Sequence, residues 1–160
     1  MVLVVDLSRD REFLIIDGHQ RLATLSISSL CVIDHLQRLG ARGVAPEANK
    51  ERATALRNRF VGEKDPASLV ESSKLLLNET DNAFYQDYLV QLREPLNPRG
   101  LPKSNRTLWD CFRWFSDRIG ATAALSQYGA SLAAVLSDTS ARQLLFIMIT
   151  VDEELSASTV

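Results

Sequence analysis

The residues with the most to offer chemically sit together in Ile15-Ile16-Asp17-Gly18-His19-Gln20-Arg21-Leu22-Ala23-Thr24-Leu25. An apolar strand-like run meets a glycine, and the glycine opens into a helix-like pattern. The first turn of a helix leaves backbone N–H groups without intrahelical partners, and their aligned dipoles make that end partly positive. Such a start is a ready site for an anion, most often phosphate. Gly18 lets a ligand oxygen approach the backbone closely. Arg21 offers a planar fork of donors, and Thr24 adds a hydroxyl one turn on. His19 can bind an anion when protonated or move a proton, and Gln20 can orient a ligand. Asp17 suits three other roles: capping the helix, holding Arg21, or approaching a magnesium ion beside the phosphate. Asp17 and His19 are the candidates for catalysis. Gly18, His19, Gln20, Arg21 and Thr24 are the candidates for nucleotide or phosphate binding.

The same residues also read as plain structure. Asp-Gly after a strand is a common turn, with Asp17 as a cap and Arg21 as its ion-pair partner. The segment is not a P-loop, because the Gly-x-x-x-x-Gly-Lys-Ser/Thr pattern is missing, and it lacks the further glycines of a dinucleotide fingerprint.

The elements that must position these residues follow from patterning. Val2–Leu7 and Glu12–Ile16 read as strands of a β-hairpin around Ser8-Arg9-Asp10-Arg11. Gln20–Leu39 reads as a long helix with Leu22, Leu25, Ser29, Ile33 and Leu36 on its apolar face, ended by Gly40. Glu47–Phe60 is a charged helix. Asn78 or Thr80 could cap a helix reaching about Arg93, with Phe84, Tyr88 and Leu92 on one side. Ser104 or Asn105 could cap a helix ending at Gly120, with Leu108, Phe112, Phe115 and Ile119 as its stripe. Ala121–Leu136 reads as another helix, broken near Gly129. Gln143–Val151 is open between strand and helix, with its β-branched residues favouring strand. The expected fold class is α+β and predominantly helical, with a small N-terminal β-hairpin or sheet leading into a helical bundle. Residues 1–160 are expected to form a single domain, 1–39 carrying the strand–glycine–helix motif and 40–160 being mainly helical.

Ile16-Asp17-Gly18-His19-Gln20-Arg21-Leu22-Ala23-Thr24-Leu25 closely resembles the DGQQR motif, usual form IDGQQRLTTL. That motif marks the N-terminal domain of GmrS/GmrD-type, modification-dependent restriction proteins. This family is similar to the ParB/sulfiredoxin superfamily, whose Gly-x-x-Arg motif holds nucleotide phosphate at a helix start. His19 replaces the usual glutamine and looks like the ParB-side version, and Ala23 replaces the usual threonine. Lys74–Asp81 with Phe84 and Tyr85, Ser104-Asn105 with the Trp109–Phe115 helix, and Val151–Glu154 are weaker points of likeness.

The resemblance implies binding of a nucleoside triphosphate with Mg2+, and its hydrolysis, in a bacterial restriction or phage-defence setting. It also implies a nuclease domain or subunit as partner, with DNA reached only through that partner. Family members carry a segment ahead of the motif and a histidine-containing HNH nuclease region. The chain is therefore expected to be a fragment of a longer architecture, apparently truncated at both ends. Two alternatives stand beside this: a non-catalytic protein-interaction module with an incomplete site, and a ParB-like DNA-binding domain.

Composition narrows the field. The 160 residues carry a net charge of -2, which does not suit a uniformly basic nucleic-acid binder. No apolar run reaches the roughly 18 residues of a membrane span, and the N-terminus lacks a signal-peptide pattern, so no membrane partner and a cytoplasmic location are expected. Cys31 and Cys111 read as reduced core residues. Lys50, Arg52, Arg57 and Arg59 read as a solvated, salt-bridged face. Trp109, Phe112, Trp114 and Phe115, interleaved with arginines, read as core and rim more than as a base-stacking platform. Asp152-Glu153-Glu154 reads as an exposed acidic end. No metal site is expected from the protein's own residues.

Overall fold

The computed structural model describes residues 2–9, 12–70, 73–122, 127–140 and 147–151. Its centre is α1 (His19–Ala41), a 23-residue helix. Sequence periodicity gives this helix one apolar stripe. In the structure Ala23, Ile27, Leu30, Cys31, Val32, Ile33, Leu36 and Leu39 are all buried, so it is enclosed on most sides. A helix apolar around most of its girth is a core helix, not a surface one. Each fully buried aliphatic side chain contributes roughly 1.5–3 kcal/mol.

Four elements close over it. Helix α2 (Pro46–Phe60) brings Ala53 and Leu56. Helix α3 (Glu79–Phe84) continues without a break into a π-helical segment, Tyr85–Val90, bringing Phe84, Tyr85 and Leu89. Helix α4 (Lys103–Ala121) brings Trp109 and Phe112, whose rings stack at 5.5 Å. The short α5 (Gly129–Ala134), followed by a second π-helical segment, Val135–Ser140, brings Leu132 and Leu136.

The expected class is corrected here: the packed body is helical, not α+β, and it is not built on an N-terminal hairpin or sheet. Among the residues whose burial is described, the core is supplied by helices and the loops joining them. Extended backbone occurs in β1 (Val2–Arg9), β2 (Glu12–Asp17) and β3 (Ile147–Val151). These ladder with one another in the order β2-β1-β3, with β1 parallel to β3, and contact one another far more than they contact the helices. An α+β domain needs a sheet whose apolar face is covered by helices. Here α1 packs against α2, α4, α5 and the π-helical segment Tyr85–Val90.

Several boundaries also move. Gly40 lies inside α1, and the left-handed glycine after it is Gly43, at φ 83°. Pro102, not Ser104 or Asn105, precedes α4, and no side chain caps that start. The cap at Asn78 forms as read: its side chain accepts from the Asp81 amide at 2.9 Å. Residues 123–126, inside the expected Ala121–Leu136 helix, lie outside the described residues, as does the Asp152–Glu154 stretch.

Candidate functional site at the start of helix α1

Gly18 is the residue before α1 and adopts φ 92°, ψ 1°. An L side chain in the left-handed region costs roughly 1–2 kcal/mol, so glycine is what this junction needs. The Gly18 carbonyl accepts from the amides of Arg21 at 3.0 Å and Leu22 at 3.1 Å. That closes the first turn and occupies the Arg21 amide. The amides of His19 and Gln20 precede the closed turn, and they are the backbone donors that an anion would meet.

The motif side chains are brought together at one end of one helix. His19, Gln20, Arg21 and Thr24 are exposed around it, while Gly18 itself is buried. No acidic residue occupies the first turn to compete with an incoming anion.

One expected role does not form. Asp17 does not cap α1, whose start takes no side-chain hydrogen bond. The reason is conformational: the left-handed Gly18 occupies the capping position, which places Asp17 one residue too early. Near the other end of α1, Arg38 pairs with Asp34 at 2.8 Å. Thr24 also differs from expectation. Its hydroxyl donates to the Gln20 carbonyl at 2.9 Å, so the proton that would meet a phosphate oxygen is directed into the helix. Ser28 and Ser29 do the same toward Leu25.

A magnesium ion is commonly held by one or two carboxylates together with substrate phosphates. Asp17 is exposed and supplies one carboxylate at the junction, which fits a shared ion but not a protein-built cage. Among the described residues, no group of three His, Cys, Asp or Glu side chains gathers to hold a metal. No described helix is long and apolar enough to cross a membrane.

Other candidates sort differently from their sequence reading. Arg57 is only 5% exposed instead of lying on a solvated face, and its Nη2 donates to the Val90 carbonyl at 3.0 Å. It ties α2 to the π-helical segment, where i→i+5 pairing shifts the carbonyls out of α-helical register. Of the aromatic set, Trp109 and Phe112 are core. Trp114 is 58% exposed and carries Arg118 over its ring at 5.8 Å. Sequence reasoning also missed a buried hydroxyl relay. Tyr85 is fully buried, and its hydroxyl lies 2.6 Å from Ser26 Oγ and 3.2 Å from Ser73 Oγ. Burial pushes the Tyr85 hydroxyl above its ordinary pKa, and the two serines pull it part of the way back. Alternating residue types could not have revealed this, because the partners lie 59 and 12 residues away.

No protein-family model, curated protein or solved structure matches the chain.

Proposed function

We propose that the start of α1 binds the phosphate of a nucleotide, as the nucleotide-binding part of a DGQQR-type protein of bacterial restriction or defence, acting in the cytoplasm. The observation that carries this reading is the left-handed Gly18 delivering the chain into α1 with His19, Gln20 and Arg21 exposed around the open amides. Phosphate would meet the His19 and Gln20 amides and the Arg21 guanidinium, with the helix dipole adding to the attraction. Asp17 fits a magnesium ion shared with a triphosphate. His19 is the proton-transfer candidate if hydrolysis occurs. DNA would be reached through a nuclease partner.

The test is thermal stability with and without each nucleoside triphosphate plus magnesium, for wild type and Arg21→Ala. Ligand at ~100 times its dissociation constant adds about 2.7 kcal/mol. A charge-assisted contact is worth about 1.5–3 kcal/mol, so Arg21→Ala should lose most of the shift. No shift in wild type with any nucleotide sinks the reading.

The second reading is a non-catalytic interaction module. On its side stand the large apolar side chains left exposed at Leu69, Val70, Leu76 and Leu96. It predicts no nucleotide response, together with partner binding that survives Arg21→Ala.

A further inference from the structure

At the far end of α1 from the Gly18 junction, a cavity of about 640 Å³ opens between its last two turns and the end of α4. Small-molecule sites typically run to about 300–1,000 Å³. His35, Arg38, Leu39 and Arg42 line one wall at helical spacing, and Ser116 and Asp117 line the facing one. From Arg21 to Arg38 the helix rises about 26 Å at 1.5 Å per residue, so this is a separate place from the start of α1.

Arg38 is preset. Its Nε donates to Asp34 Oδ1 at 3.1 Å, and its Nη2 lies 2.8 Å from Asp34 Oδ2. This side-on fork fixes the plane of the guanidinium. Asp34 is buried, and burial raises its pKa while Arg38 lowers it again. Holding a carboxylate out of water is costly. Here that cost holds one arginine in a set orientation. The Arg38 side chain is 51% exposed and lines the cavity, so its remaining N–H donors are open to a ligand. Arg42 stands one turn further on and is exposed. Among the described lining residues, Asp117 is the single carboxylate, and Leu39 adds apolar surface.

We propose that this groove binds a small organic anion bearing a hydrogen-bond donor beside its charge, either a hydroxycarboxylate or a hydroxylated phosphate ester. Arg38 and Arg42 hold the anion, Asp117 accepts from the adjacent hydroxyl, and Leu39 packs on the carbon chain. A fixed guanidinium fork loses little freedom on binding, which is the advantage of preorganisation.

The test is a titration of the full chain, followed through its backbone amide NMR signals. The probes are malate, glycerol 3-phosphate and succinate, each against sodium chloride at matched ionic strength. The expected result is saturable movement of the His35–Arg42 and Ser116–Gly120 signals with malate, with glycerol 3-phosphate, or with both. Whichever binds assigns the anion as carboxylate or phosphate. Arg38→Ala should weaken binding at least tenfold. Arg38→Lys, which keeps the charge and removes the fork, should weaken it nearly as much. Asp117→Asn should weaken malate or glycerol 3-phosphate and leave succinate unchanged. Movement that the chloride control reproduces, movement that does not saturate, or affinity unchanged in both Arg38 variants would overturn the proposal.

Discussion

Replacing Gly129 with alanine should destabilise the protein, although helix propensity argues for the opposite sign. Gly129 opens α5 and has no positive φ, so alanine is conformationally acceptable there and would ordinarily be favoured by up to about 1 kcal/mol. A Cβ at this position, however, overlaps Asn49 Oδ1 and stands 2.7 Å from Asn49 Cγ. Asn49 is 1% exposed and held at both ends of its amide. Its Nδ2 donates to the Val44 carbonyl at 2.7 Å, and its Oδ1 accepts from Arg52 Nη1 at 2.8 Å. The side chain cannot yield without losing both bonds. A neutral bond is worth about 1 kcal/mol and a charge-assisted one about 1.5 kcal/mol after discounting for the partly exposed arginine. Overpacking adds about 1–3 kcal/mol. Net of the propensity gain, Gly129→Ala should cost about 2.5–4.5 kcal/mol in urea unfolding followed by far-UV circular dichroism. In an Asn49→Ala background the obstructing amide is gone, and the same change should become neutral or mildly stabilising. Additive effects to within about 0.5 kcal/mol, or a stabilising single variant, would refute the reasoning.

Three further outcomes follow from the packing. Tyr85→Phe removes the hydroxyl between Ser26 and Ser73 and should cost about 1–2 kcal/mol, with Ser26→Ala adding less than its separate cost in the double variant. Burial raises the pKa of Asp34, so the fold favours its protonated form more than the unfolded chain does. Wild type should therefore lose stability relative to Asp34→Asn as pH rises from the ordinary carboxylate value through the raised one. Above that the two should run parallel, and a gain for wild type over this range would contradict the assignment. Burial also pushes the Cys31 thiol well above its ordinary pKa, and Cys31 Sγ donates to the Phe112 carbonyl at 3.2 Å. A thiol reagent should thus modify half-buried Cys111 first and reach Cys31 at the unfolding rate, and the reverse order would contradict this packing.

The helices were legible because their apolar spacing is strong, and the Asn78 cap because a side-chain acceptor stood in the right place. What sequence could not give was the number of buried faces. Leu22 to Leu36 describe one stripe, yet Cys31, Val32 and Asp34 are buried as well, because α1 has partners on several sides. That enclosure also explains the misassigned class: the apolar runs near the N-terminus read as a sheet layer, while the core closes with helices. Arg57 was misplaced for a related reason. Its neighbours Lys50, Arg52 and Arg59 are charged, while one of its partners, the Val90 carbonyl, lies 33 residues away in the sequence. At the candidate site, the need for Gly18 was legible from its place between strand-like and helix-like patterns. The failure of Asp17 to cap was not, since it depends on which residue takes the left-handed conformation. The groove beside Arg38 joins α1 to α4 across more than seventy residues of sequence, and only its Asp34–Arg38 spacing could have hinted at it.

The central claim is that the open amides before the first turn of α1 receive phosphate, and backbone amide NMR during a titration with adenosine and guanosine triphosphates plus magnesium tests it most directly. The account predicts saturable downfield movement of the His19 and Gln20 amide protons, strongly reduced by Arg21→Ala, with the Arg38 and Ser116 amides unchanged at low ligand concentration. Stationary His19 and Gln20 signals at saturating triphosphate, or equal movement in Arg21→Ala, would contradict it.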